Sequence, residues 1–287
     1  MTWFFLALAA AFSLGTSDFL LKRYFSDLPV GEMVMVRFTG VVPVCIAILL
    51  IMPVPEIRPE FWSSVAIALP AELVATFLYA KAIQVSPLSL AQPFLAFTPL
   101  FALLTGLLIL GEGPSWGGLA GIVMLAAGGY WLNIDQARYG WYQPILAVTR
   151  ERGSWMMLTV AAIYSFTAVL GRRAVLAADP WFMASVYPLL VSGGVALVLG
   201  FSRRLSWSWL GRPWPALAVC LAAGGHIVLH FMAISMVQAA YMISVKRLSI
   251  IIAMLYGGVF LREARLGQHL LAGLLMEAGA VLILVLG

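Results

Sequence analysis

The sequence predicts an all-α integral membrane protein of ten transmembrane helices, arranged as two inverted five-helix repeats. Three observations predict it: a composition without a water-facing surface, a set of apolar runs of bilayer length, and a near-constant offset at which the chain repeats itself. Hydrophobic residues make up 63% of the 287 and charged residues only 10%, where soluble domains carry about 25%. The surface of such a chain is solvated by lipid.

Roughly 20 apolar residues cross the hydrocarbon core as a helix. Ten such runs are separable, near 2–21, 33–52, 61–85, 88–110, 116–132, 155–176, 181–201, 213–237, 239–261 and 267–286. The first lacks a charged leader, so it reads as a retained helix although Ala7-Leu8-Ala9 mimics a cleavage motif. Asp27-Leu28-Pro29, Pro53–Pro59, Ser86-Pro87, Gly111–Pro114 and Asp179-Pro180 punctuate the breaks, because proline and glycine end helices. The longest connection carries Arg138, Arg150 and Arg152. It divides the chain into a first repeat (1–133), an interfacial linker (134–152) and a second repeat (153–287).

The halves match in detail. Trp3, Leu6, Ala9, Ala10 and Ser13 recur 152 residues on as Trp155, Leu158, Ala161, Ala162 and Ser165; Ala82, Ile83, Glu112, Leu119 and Gly128 recur 151 residues on as Ala233, Ile234, Glu263, Leu270 and Gly279. Alanine and leucine matches cost little in this composition, but the Trp, Ser and Glu matches at one offset do not. Five helices is an odd number, so the second half enters the membrane from the opposite side, the geometry in which two halves rock about a midplane site.

Polar residues inside the apolar runs mark the candidate site. Lys246 and Arg247 lie side by side in YMISVKRLSIIIAMLYGGVFLRE (Tyr241–Glu263), the ninth helix. A charge at membrane depth costs about 2.5–3.5 kcal/mol on insertion scales, so such residues face a partner, water or substrate. They either hold a carboxylate or phosphate, or pair with buried carboxylates or snorkel and only stabilise packing. Tyr241 and Ser244 offer hydroxyls beside them. On the third helix Glu72, Thr76, Tyr79 and Ile83 share a face, and Glu72 is either a proton-coupling carboxylate or the counter-ion of Lys246 or Arg247. On the eighth, His226 and His230 share a face at i, i+4, suited to proton coupling, a substrate hydrogen bond or simple helix–helix bonding. The fourth helix holds Gln92, Pro93, Thr98 and Pro99, a kinked stretch that needs a cavity or packed protein around it. Glu277 on the tenth reads as an ion pair or interhelical contact, Asp18 with Lys22 as a local i, i+4 pair, and Trp207, Trp209 and Trp214 as an interfacial belt.

Other classes are disfavoured. Cys45 and Cys220 sit in apolar runs as packing residues, and no HExxH, GxSxG or paired-aspartate motif points to an enzyme or a bound metal. No phosphate-binding GxxxxGK[ST] loop is present, so no nucleotide drives the protein, and no cofactor is expected. The net charge of +5 is spread over loops without a basic cluster, which excludes nucleic acid as a partner and fits contact with lipid headgroups.

The paired helix ends LLTGLLILGE (Leu103–Glu112) and MLYGGVFLRE (Met254–Glu263), each followed by a glycine-containing last helix, resemble those of the EamA-type drug/metabolite transporter superfamily. So do Arg37 and the run AIQVSPLSLAQPFLAFTPLF (Ala82–Phe101). Arg262 stands in the second end where the first has Gly111. The resemblance implies ten helices, a central cavity lined mainly by the third, fourth, eighth and ninth, and secondary transport, often export. Lys and Arg in the connections favour both termini outside the cytoplasm, whereas the resemblance implies both inside.

The expectation from sequence is therefore a secondary active transporter, an exporter or exchanger, in the bacterial cytoplasmic (inner) membrane. Its cargo would be a small amphipathic metabolite with an anionic group, such as an amino acid or organic anion, held by Lys246, Arg247, Tyr79, Gln92, His230, Tyr241 and Ser244, with Glu72 or His226 available for proton coupling. A flippase for an anionic lipid phosphate and a non-transporting scaffold are the alternatives. Membrane lipids are the expected surroundings, and a homodimer is an option.

Overall fold

The computed structural model describes residues 2–98, 100–101, 116–237 and 239–286, without the side chains of 239–241, 244 and 284. Pro99, the Leu103–Glu112 helix end, the Gly111–Pro114 break and the side chains of Tyr241 and Ser244 therefore lie outside the described residues.

Everything described is helix or connection. Seven helices are long and apolar enough to cross a membrane, counting Val30–Ile51 as one, and three shorter apolar helices cover Leu88–Phe97, Trp116–Leu132 and Ser249–Phe260. Helix α1 (Thr2–Phe25) ends on Lys22 and Arg23, cations that suit the negative end of a helix dipole. The next span is α2 (Val30–Thr39) followed by α3 (Val42–Ile51). It breaks at Gly40 because Pro43 has no N–H to offer the carbonyl one turn back. A Cβ on Gly40 would come within 1.7 Å of Cys220 Sγ, so only glycine fits this approach. Helix α4 (Pro59–Val85) starts on a proline and carries Pro70 inside it. Helix α5 (Leu88–Ala91) passes into a 3-10 turn at Gln92–Phe97, tightened where Pro93 interrupts the regular ladder.

Helix α6 (Trp116–Leu132) leads into the linker, a 3-10 turn (Ile134–Tyr139) and the amphipathic α7 (Gln143–Arg150). The second half holds α8 (Arg152–Leu176), α9 (Pro180–Phe201), α10 (Pro213–Met236), α11 (Ala239–Lys246), α12 (Ser249–Phe260) and α13 (Leu266–Leu286). Side-chain caps start α8 and α9: Glu151 accepts from Ser154 N at 2.5 Å, and Asp179 from Trp181 N at 2.8 Å, satisfying amides that the first turn leaves unpaired. The ninth span is not one helix. It is interrupted after Lys246, and α12 resumes at Ser249.

Extensive packing joins α6 with α13, α4 with α8, α1 with α10, and α9 with α2 and α3. Each pair is antiparallel. Gly117, Gly121 and Gly128 of α6 meet Leu286, Ile283 and Met276 of α13 in reverse order. Cys45 of α3 lies by Ala184 of α9, while Gly31 lies by Leu199.

Contacts also gather the ends on one face, here the linker face. Arg212 grips Asp27 through two hydrogen bonds of 2.7 and 2.6 Å. Glu32 accepts from Trp209 N at 3.0 Å and Ser208 Oγ at 3.1 Å, so Trp209 is buried while Trp207 and Trp214 remain exposed as belt residues. Glu263 accepts from the amides of Leu88 and Ser89 at 2.8 and 2.9 Å, capping α5 from the opposite half of the chain. Ser86 Oγ donates to Glu151, and Arg265 to Asp135.

The core between these helices includes Leu21, Phe25, Met33, Ile83, Leu88, Met157 and Met276, each fully buried. Outside it, Phe5, Leu50, Val123 and Phe201 are exposed over more than three fifths of their surface, as lipid-facing side chains are.

Candidate functional site

One cavity of about 140 Å³ lies among α1, α2, α4, α8, α9, α10 and α11. Its lining brings together Glu72, Tyr79, His226, His230, Lys246 and Arg247, six side chains that lie as far as 175 residues apart in sequence (247 − 72 = 175). Engineered cavities of about 150 Å³ accept a benzene-sized guest.

Followed from the linker face, the lining starts deep on α8 and α10, and at Val34, near the start, on α2. Tyr164 is its first residue on α8, which begins at Arg152, and Ala223 is its first on α10, which begins at Pro213. In the other direction it runs close to the far ends, to Gly171 on α8, Met183 on α9 and Phe231 on α10. On the linker side Leu21, Phe25, Met33 and Ile83 are fully buried.

The floor is a polar cluster on one carboxylate. Asp18, 1% exposed, accepts from Arg37 Nη1 at 2.9 Å, Tyr79 Oη at 2.5 Å and Gln92 Nε2 at 2.9 Å. Three donors, one of them cationic, compensate the carboxylate for its lost water. Arg37 also stacks over the Tyr79 ring, 4.9 Å from its centroid. Asp18 and Lys22 do not form the local pair that their i, i+4 spacing suggests. Asp18 turns inward to Arg37, while Lys22 donates to the carbonyls of Ile83 and Ser86 at 2.8 and 2.5 Å, at the end of α4. Tertiary donors outcompete an i, i+4 contact worth only a few tenths of a kcal/mol. Gln92 belongs to this floor and is not part of the cavity lining.

The cationic wall stands where the chain leaves helix. Lys246 is the last residue of α11, and Arg247 and Leu248 form the turn before α12. Lys246 Nζ lies 3.3 Å from His230 Nδ1. Arg247, 2% exposed, donates from Nη2 to Thr98 Oγ1 at 2.5 Å, and its Nε has no hydrogen-bond partner. Among the described residues the ion pairs are Asp18–Arg37, Asp27–Arg212 and Asp135–Arg265, so none of their carboxylates lies within 4 Å of Lys246 or Arg247. Glu72 lines the cavity together with Lys246, and Glu277 lies on α13, which packs against α11. Glu277 is buried, with both carboxyl oxygens unpaired. The ion pair or interhelical bond expected for it does not form among the described residues.

His226 Nδ1 lies 3.1 Å from the carbonyl of Ala10, and its ring packs 5.8 Å from that of His230. Tyr164, Thr167, Tyr187 and Phe231 complete the lining. The sequence singled out none of these four, since hydroxyls and aromatics are ordinary in a spanning helix. Ser165, matched to Ser13 by the repeat, lies one residue from Tyr164 and was the nearest signal. His269, 2.8 Å from Ser89 Oγ, also went unremarked. Among the described residues no group of three or more His, Cys, Asp or Glu is placed to hold a metal. What the arrangement offers is a small, partly aromatic chamber lined by three cations, of which Arg37 is paired with Asp18, and by a carboxylate, two imidazoles and several hydroxyls.

No curated protein matches the chain. One solved structure, described only as "Crystal structure of protein", superposes with a TM-score of 0.64 at 18% identity, covering 98% of this chain and 96% of that one; it is a likeness of fold. The model of the EamA-like transporter family matches residues 1–134 and 151–285. With its long apolar helices and buried polar chamber, the chain belongs to the EamA-like transporter family, a multi-pass integral membrane branch of the drug/metabolite transporter superfamily.

Proposed function

We propose that the protein is a secondary active transporter that moves a small metabolite with an anionic group, such as an amino acid or organic anion, by alternating access. The observation that carries this reading is the pair Lys246–Arg247: both line the cavity, at a break in the helix, and among the described residues neither is in an ion pair. Arg37 on the floor already has Asp18, so the two cations of the turn remain for a ligand. Broken helices at the middle of the membrane are where secondary transporters bind substrate. The 3-10 turn at Gln92–Phe97 and the interruption at Arg247 lie at nearly the same place under the 151-residue offset (96 + 151 = 247).

Alternating access follows from halves that match. The pairing of α1 with α10 is the pairing of α8 with α4 under exchange of the repeats, and α6 pairs with α13, its own counterpart. That supports ten spans in two inverted units, 1–133 and 153–287, joined by 134–152. The lining reaches Gly171, Met183 and Phe231, towards the face opposite the linker, which supports a chamber opening to that face in one state of the proposed cycle. Small chamber size favours a metabolite over a lipid phosphate, whose acyl chains would have to stay outside. Export or exchange in a bacterial inner membrane is the physiological setting we propose, with Glu72 or His226 as proton carrier.

The test is binding and counterflow with purified protein in liposomes, using labelled alanine and lactate as probes. Arg247→Gln should weaken binding about tenfold to a hundredfold, the value of a hydrogen bond to a charged group, in a protein that still folds. Lys246→Gln tests the second cation separately. Unchanged transport in both variants would remove the pair from the site, and turnover of either probe to a new product would replace transport by catalysis.

A further inference from the structure

Glu277 has no part in the site as drawn, yet among the described residues it is a buried carboxyl group with both oxygens unpartnered. It lies on α13, 6% exposed. Burying a polar group without a partner is costly, and burying a charge more so. Such a group persists where a second arrangement satisfies it. Helix α11, which ends beside Arg247, packs on α13, and among the described residues no ion pair joins Arg247 to Glu277. Arg247 is unsatisfied too, since its Nε is buried without an acceptor. Helix α6, which packs along α13, contributes no charged side chain.

The two cations of the turn thus differ in what stands behind them. Lys246 shares the cavity lining with Glu72, which is open to a ligand. Glu277 does not line it, so a substrate touching Arg247 does not reach Glu277. A carboxyl group on a helix packed beside a substrate-binding guanidinium, but walled off from the substrate, is placed to take that guanidinium when the substrate has gone.

We propose that Glu277 is a positioning residue for the empty transporter, the internal counter-charge that Arg247 turns to once its anionic cargo has left. This rests on the reading of function above. A carrier that returns empty drags its binding cations through an occluded state with no water around them, where an unpaired charge is most costly. With cargo bound, the cargo supplies the negative charge and Glu277 stands unused. The exchange of cargo for cargo never visits the empty return and has no need of Glu277.

The proposal separates two fluxes. In liposomes loaded with labelled alanine or lactate, Glu277→Gln should slow net efflux by on the order of tenfold or more while leaving exchange within about twofold. The same variant should bind the probe no more weakly than the parent, because Arg247 has lost its competitor. Glu277→Asp, which keeps the charge, should restore part of the net flux. Loss of both fluxes in parallel, or of neither, overturns the proposal. A second measurement needs no cargo: melting temperatures of Glu277→Gln, Arg247→Gln and the double variant in detergent. Coupling, with the double variant melting higher than the two single losses add up to, supports the pair, and strict additivity overturns it. If the parent moves neither probe, the reading of transport fails, and the melting cycle alone decides the relation between Glu277 and Arg247.

Discussion

Lys246 Nζ and His230 Nδ1 share one hydrogen bond of 3.3 Å across the gap between α11 and α10. An ammonium group has only donors, so the imidazole nitrogen accepts and the ring proton sits on Nε2. One turn earlier the roles reverse. His226 Nδ1 meets the carbonyl of Ala10, which can only accept, so this ring carries its proton on Nδ1 and keeps a lone pair on Nε2. These tautomers follow from the hydrogen-bond network. They leave the two rings with one unused donor and one unused acceptor, a turn apart on the same helix.

A ligand carrying a hydroxyl or amine beside its anionic group matches that pair, and one lacking it does not. Lactate should therefore bind more tightly than propionate by roughly twofold to tenfold, the range of one neutral hydrogen bond. His226→Phe should erase the preference while leaving the weaker ligand unaffected. Calorimetric titration of both ligands against parent and variant checks this, and an equal loss for both would assign His226 to packing alone.

Much of this was legible from residue chemistry, and the failures have physical reasons. Lys246, Arg247, Glu72 and the two histidines stand out because charge and imidazole are expensive in lipid, and all five meet in one chamber. Gln92 stood out equally but serves the floor, where its amide donates to Asp18 at 2.9 Å. Asp18 was misread because spacing along one helix is visible in sequence and a partner 19 residues away is not. The break after Lys246 had no proline or glycine to announce it, being fixed by tertiary contacts such as Arg247 with Thr98. Tyr164 and Tyr187 carry no charge, so nothing in a single sequence separates them from lipid-facing aromatics.

Asp18 joins α1, α2, α4 and the Gln92 turn, so its loss should unsettle the whole floor. Asp18→Asn leaves Arg37 buried without its counter-charge, and breaking a buried pair from one side costs about 3–5 kcal/mol. The variant should melt well below the parent in detergent. Asp18→Asn combined with Arg37→Gln removes both charges and should recover part of the loss. A double variant less stable than either single one would show that the hydrogen bonds to Tyr79 and Gln92, rather than the ion pair, hold the floor.

Gly128 tests the seam between α6 and α13. A Cβ there would stand 2.4 Å from Met276 Cγ and 2.9 Å from the carbonyl of Ala272, and backbone cannot yield as a flexible side chain does. Gly128→Val should cost about 1–3 kcal/mol, the usual penalty of overpacking, seen as a lower melting temperature. Gly193→Ala, where a Cβ meets nothing within 4 Å, is the matched control and should leave the melting temperature nearly unchanged.

The clasp between Asp27 and Arg212 gives the linker face a dependence on pH. Its two hydrogen bonds from the guanidinium hold the Asp27 carboxyl below the usual carboxylate range. A carboxylate whose folded pKa is depressed contributes stability that is complete above its unfolded value and is lost as pH falls through the folded one. The clasp should therefore persist from neutral pH to below the point where a free aspartate protonates, and then open. Both side chains are substantially exposed, so salt should weaken it as well. A cysteine placed at Leu28, beside the clasp, should become more reactive to a water-soluble maleimide in Asp27→Asn than in the parent, at neutral pH. The difference should shrink in high salt, where the parent's clasp is already screened. Equal labelling of both proteins in low salt would mean that the buried bonds of Glu32 and Glu263 hold this face closed without it.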